Sequence, residues 1–110
     1  MTGTLDEIPF EVAVERHADA VRVRVTGELD LCREKDLRSA VTAVLDARDV
    51  GSLVLDVRGV QFLDSSGLRA LLVCRDRTQE AGAEFRLAVA PGPVSRLLAV
   101  AGVQGWFDYE

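Results

Sequence analysis

The stretch Leu53 to Leu72, LVLDVRGVQFLDSSGLRALL, constrains this chain more than any other. It opens on Leu53-Val54-Leu55 and continues after Asp56 with Val57. An apolar run rich in branched residues suits a strand buried on both faces. Arg58-Gly59 is expected to break that strand. Asp64-Ser65-Ser66-Gly67 follows, and then Leu68, Leu71 and Leu72 at helical spacing. Strand, short loop and helix start form one unit, with two hydroxyls where the helix begins.

The rest of the chain alternates around that unit. Met1 to Pro9 reads as a loose lead-in. Phe10, Val12 and Val14 alternate with polar or small residues, as a half-buried strand does, and Arg16 to Asp19 reads as a polar turn containing His17. Val21, Val23 and Val25 give a second strand, antiparallel to the first because the link is short. Gly27 is expected to end it and to open a loop, Gly27-Glu28-Leu29-Asp30, with two carboxylates. Leu37, Ala40, Val41, Val44 and Leu45 have the spacing of an amphipathic helix. After the Ser66 helix, Ala81-Gly82-Ala83 is a stop signal. Phe85, Leu87 and Val89 predict a fourth strand. Val94, Leu97, Leu98 and Ala101 predict a short helix stopped by Gly102, and Trp106 and Phe107 a last short strand or a cap on the core. The order ββαβαβαβ predicts an α/β fold: a mixed, largely parallel β-sheet with helices packed on it, in one domain over 1–110.

Composition narrows the function. The chain has 110 residues and a formal net charge of −5. No basic stripe exists to neutralise phosphates, so a nucleic-acid surface is not expected. No apolar segment approaches the roughly 20 residues of a membrane helix. The start, MTGTLDEIPF, lacks the basic and apolar regions of a signal peptide. Cys32 and Cys74 have no CxxC partner and His17 is the only histidine, which argues against a disulfide framework or a zinc site. These features predict a reduced, cytoplasmic protein with no cofactor and no metal. A small apolar packing role is expected of both cysteines, with a reactive thiol as the alternative.

The second strand, the Leu37 helix and the Leu53 strand form a βαβ unit with a right-handed crossover and parallel strands. Their carboxyl ends then share one edge of the sheet, where open α/β sheets place their sites. Asp30 leaves one strand there; Asp64, Ser65 and Ser66 leave the other. Ser65 is well placed as an N-cap, for about 1 kcal/mol. Asp64 is a cap or a helix-dipole partner on the same logic. Ser66 is left over, an exposed hydroxyl beside Gly67. It is a good acceptor for a phosphoryl group, because free N–H groups and the positive dipole end would stabilise the product, although Asp64 and Asp30 would repel it. Arg69, one turn on, reads as a solvated residue or as a partner for a phosphate or an acid.

Thr26-Gly27-Glu28-Leu29-Asp30 before a helix and Phe62-Leu63-Asp64-Ser65-Ser66-Gly67-Leu68 after a strand together resemble the STAS domain of anti-sigma factor antagonists. The likeness extends to element order and spacing over almost the whole chain. It implies a bacterial regulatory switch whose unphosphorylated form binds an anti-sigma factor that is also a serine kinase, freeing the sigma factor. The kinase then phosphorylates the second serine of DSSG, and a PP2C-type phosphatase resets it. On this chain the resemblance makes Ser66 the phosphoacceptor and places Asp30, Glu28, Asp64, Ser65, Gly67 and Arg69 on the partner-binding surface. It implies a monomer when free and no membrane partner. Many relatives carry a further C-terminal helix, expected here to be absent or very short.

Two other classes make different demands. A STAS scaffold subunit of a stress-signalling or lipid-transport assembly would be a stable oligomer or hold a permanent partner, with Ser66 mostly capping. An enzyme with Ser66 as nucleophile needs a base, yet His17 lies in a turn between the first two strands and no G-x-S-x-G elbow occurs. The expectation is that the chain is not an enzyme.

Overall fold

The computed structural model describes residues 8–47 and 49–110, so most of the lead-in, Met1 to Glu7, lies outside the described residues. In chain order the elements are β1 (Glu11–His17), β2 (Ala20–Leu29), α1 (Glu34–Ala47), β3 (Ser52–Leu63), α2 (Ser65–Glu80), β4 (Glu84–Ala88) and α3 (Pro93–Ala101), followed by a 3-10 turn at Gln104–Trp106. The sheet order is β1-β2-β3-β4. β1 pairs antiparallel with β2, and β2, β3 and β4 run parallel. The sheet is therefore mixed and largely parallel, as the alternation of elements requires.

One face of the sheet is apolar. Val21, Val23 and Val25 of β2, Leu53, Leu55 and Val57 of β3, and Phe85 and Leu87 of β4 share a buried cluster with Leu37, Val41 and Val44 of α1 and Ala70, Leu71 and Cys74 of α2. Each residue that alternates into this cluster loses its apolar surface to water's advantage, at about 25 cal/mol per Å². α3 packs against β3, whose upper half runs on past the end of β4.

Four local expectations are corrected. Gly27 does not end β2, which continues to Leu29. Gly27 instead adopts φ +91, and a Cβ there would meet the backbone of Phe10 at 2.8 Å. A glycine inside a strand marks a close approach, not a stop. Arg58-Gly59 does not break β3 either. The β2–β3 register shifts between Arg24 and Thr26 and again between Gly27 and Glu28. A single slip would turn the following side chains to the wrong face. Two slips restore the alternation, so Val60 and Leu63 are buried again.

β3 is not buried between two apolar layers. Its second face carries Asp56, only 2% exposed, under arginine side chains. Of the two forms expected of Trp106 and Phe107, the cap on the core is the one present: Phe107 is buried with its ring 6.4 Å from that of Phe85, while Tyr109 makes one parallel bridge to Leu87. His17 is the last residue of β1, not a turn residue. The helix stops lie where the glycines predict them: Gly82 and Gly102 take φ +84 and φ +72 just past α2 and α3.

Candidate functional site

The carboxyl ends of β2 and β3 form a rim with the starts of α1 and α2. Gly67 sets its geometry. A Cβ on Gly67 would collide with the Leu29 carbonyl oxygen and lie 2.5 Å from Leu63 Cδ1. The first turn of α2 therefore lies directly against the end of β2. Leu29 precedes Asp30 and Gly67 follows Ser66, so this contact brings the acid and the hydroxyl together across 36 positions of sequence.

The cap of α2 is Asp64, not Ser65. Asp64 has an extended backbone, φ −107 and ψ −172, and its Oδ1 accepts from the Gly67 N–H at 2.9 Å. A carboxylate here also faces the positive end of the helix. Ser65 is thereby displaced to the first helical position, where it is exposed, and Ser66 is the second. Ser66 is half-buried and less open than the sequence predicts. Among the described residues, neither serine hydroxyl makes a hydrogen bond within the chain. The N–H groups of such a first turn have no intrahelical acceptor.

Asp30 is held by its own loop. Its Oδ1 accepts from the Cys32 N–H at 3.0 Å, its Oδ2 from Arg33 at 2.9 Å, and its carbonyl from the N–H groups of Arg33 and Glu34. The loop thus delivers the chain into α1. Cys32 is exposed in this turn and does not pack, contrary to expectation. Cys74 is buried in α2, and burial pushes its thiol up to about 12, so it is an inert core residue. Glu28 lies on β2, with Phe62 as its β3 partner, and not in a loop. Arg69 is exposed and approaches α1: with the hydrogen bond from Arg38 as the larger cause, Arg69 helps hold the Glu34 carboxyl below its ordinary value.

The structure therefore gathers Asp30, Asp64, Ser65, Ser66 and Gly67 on one rim, with Glu28 below it and Arg69 exposed one turn into α2. Two apolar residues belong there that sequence reasoning did not single out. Leu31 is 70% exposed and Phe62 48% exposed. Leu31 follows Asp30, and Phe62 precedes Asp64 by two positions. The signal was present in the alternation of β3: Phe62 falls on the face opposite Leu63, away from the helices. A cleft of about 120 Å³ between Ile8-Pro9-Phe10 and Glu28, Arg33 and Gln61 adjoins them.

His17 stands at the other end of the sheet. It pairs with Ala20, the first residue of β2, while Leu29 reaches the rim. Ten residues of strand separate the two ends by about 30 Å. His17 is thus no base for Ser66. Among the described residues, no group of three metal-ligating side chains occurs, and no helix is long and apolar enough to cross a membrane.

Comparison with known proteins gives a consistent result. A family model described as STAS domain matches residues 11–109. An anti-sigma F factor antagonist of Paenibacillus polymyxa is 30% identical over 94 residues, covering 86% of this chain and 80% of that protein. The crystal structure of an anti-sigma factor antagonist from Mycobacterium paratuberculosis superposes with a TM-score of 0.80 at 26% identity, covering 92% of this chain and 86% of that one. The Bacillus cell fate determinant SpoIIAA in its phosphorylated form has the same fold, with a TM-score of 0.67 at 20% identity over 93% of this chain and 91% of that one.

Proposed function

The chain belongs to the STAS domain family, and from that premise we propose that it is an anti-sigma factor antagonist whose rim docks on an anti-sigma factor with serine kinase activity. Docking frees the sigma factor. Phosphoryl transfer to Ser66 ends the docking, and a PP2C-type phosphatase restores it. The named antagonists among its relatives support this reading, and SpoIIAA supplies a phosphorylated example of the fold.

The observation that carries it is the contact of Gly67 with Leu29. It puts an uncommitted hydroxyl beside a fixed carboxylate and two exposed apolar side chains. Leu31 and Phe62 supply the apolar area of a docking surface, and Glu28, Asp30 and Asp64 its charge. The Ser66 Oγ would attack the γ-phosphorus of ATP held by the kinase. The bond to the β-phosphate breaks, ADP leaves, and the hydroxyl proton passes to a base of the kinase. Nothing on this chain need act as that base. The product carries an added charge of about −1.5 to −2 on a rim already rich in carboxylates, which repels an acidic or apolar partner surface.

The test is intact mass after incubation with ATP and each kinase-type anti-sigma factor of the source organism. One phosphate on the wild-type chain, mapped to Ser66 and absent from Ser66→Ala, is the expected result. Equal phosphorylation of Ser66→Ala would overturn the site assignment. Stable co-purification with a larger assembly and no phosphate would favour a scaffold role.

A further inference from the structure

β1 is an edge strand with nothing paired to its outer side among the described residues. Seven residues long, it keeps an unbroken register with β2. It contains no proline, no lysine and no bulge, three of the devices that blunt such an edge, and its charges are Glu11, Glu15 and Arg16. Val14 on it is 43% exposed, although its opposite residue, Val23, is fully buried. α1 covers β2 and meets β1 through Arg16, which donates to the Val44 carbonyl oxygen at 3.4 Å, while Val12 is partly buried against the core.

We propose that β1 pairs antiparallel with β1 of a second copy of this chain, about a two-fold axis at Val14, to form a continuous eight-stranded sheet. The charge pattern selects that register. With the helices of both copies on one side, opposite residues must lie on the same face. Glu11, Ala13, Glu15 and His17 share the open face; Val12, Val14 and Arg16 share the helix face. An axis at Val14 puts Glu11 opposite the imidazole of His17, Ala13 opposite Glu15, Val12 opposite Arg16, and Val14 opposite itself. All seven residues pair and no like charges meet directly.

The alternatives fail one by one. An axis at Ala13 sets Glu11 against Glu15, and an axis at Glu15 or Arg16 sets a charge against itself; like charges directly opposite are destabilising. An axis at Val12 draws Pro9, which has no N–H, into the ladder. The pairing is isologous and closes as a dimer. It departs from the free monomer that the family resemblance implies. Because the strands run antiparallel, the two rims point to opposite ends of the sheet, and both Ser66 residues stay accessible.

An interface of one strand pair is small, so the dimer should be weak. Sedimentation equilibrium over a concentration series should show the average mass rising from 12.0 kDa toward twice that value at millimolar concentration. Val14→Arg, which sets two like charges on the axis, should hold it at the single-chain mass with an unchanged circular dichroism spectrum. In a Cys32→Ser background, mild oxidation should link Val14→Cys chains, whose Cβ atoms would lie about 5 Å apart. Glu11→Cys chains should stay unlinked, because the two sites would be about 20 Å apart along the ladder. A mass constant at 12.0 kDa throughout the series would overturn the proposal. So would dimerisation in which Val14→Arg still associates, or in which Glu11→Cys links as readily as Val14→Cys.

Discussion

Asp56 on β3 and Asp30 at the end of β2 are carboxylates carried by neighbouring strands, and their surroundings differ in kind. Asp56 is 2% exposed. Arg22 and Arg58 each donate to it at 2.8 Å, the Arg58 N–H adds a bond at 3.1 Å, and Arg24 stands 3.7 Å away. Glu110 closes over Arg22 at 2.7 Å. Asp30 has a more open side chain and is held by one N–H and one arginine of its own loop. One group is enclosed by Arg58 of its own strand and Arg22 of the neighbouring one and has no free valence for a partner. The other is shaped locally and keeps an open side. On the proposed function, the ionic cluster belongs to stability and the rim to recognition.

That division can be broken by substitution. The largest effect is expected of Asp56→Ala, which leaves three arginines facing a hole: a loss of about 3 kcal/mol in urea unfolding. Affinity for the anti-sigma factor, per folded molecule, should not change. A weakened affinity with intact stability would reverse the assignment. The same group sets a pH dependence. Burial alone would raise the Asp56 carboxyl, but the hydrogen bonds from Arg58 and Arg22 outweigh it and hold the group well below the usual carboxylate range. A depressed native value contributes stability that is fully present above the unfolded value of about 3.9 and is lost as pH falls through the folded one. Acid titration of stability should therefore steepen below about pH 4 in the wild type and flatten in Asp56→Asn.

Gly67→Ala tests the one rim residue that is also structural. Its new methyl meets backbone, so α2 must shift away from Leu29. A loss of about 2 kcal/mol is expected, with phosphorylation of Ser66 falling as well. Unchanged phosphorylation would mean that the juxtaposition of Ser66 and Asp30 is irrelevant. Asp30→Ala should cost about 1 kcal/mol or less, the worth of a loop hydrogen bond, yet reduce docking severalfold in a pull-down titration. A cost of several kcal/mol would place Asp30 with Asp56.

Much of the fold was legible because it rests on local periodicity. The alternation of Val21, Val23 and Val25, the helical spacing from Leu37 to Leu45 and the glycine stops after α2 and α3 are each settled within a few residues. Gly27 and Gly59 misled for a physical reason: a strand glycine that admits another backbone and one that interrupts the chain look alike in sequence. Asp64 and Ser65 both have the chemistry of a cap, and sequence alone does not rank them; the Asp64 carboxylate is the one that reaches the Gly67 N–H. The rim hydroxyl and acids were readable from βαβ geometry. Leu31 was not, since exposure of one loop leucine depends on everything around it. The Asp56 cluster was invisible, appearing only as an interruption in an apolar run. Arg22 comes to Asp56 from 34 positions away, and the Glu110 that closes over Arg22 lies 88 positions from that arginine.

The most direct test of the rim as a phosphate-controlled docking surface is a comparison of two forms of the same protein. The affinity of the unmodified chain for its anti-sigma kinase would be measured beside that of the chain phosphorylated on Ser66. A decrease of tenfold or more, a change of about 1.4 kcal/mol, is the predicted result. Equal affinities would contradict the account, because the added charge would then lie outside the surface that binds.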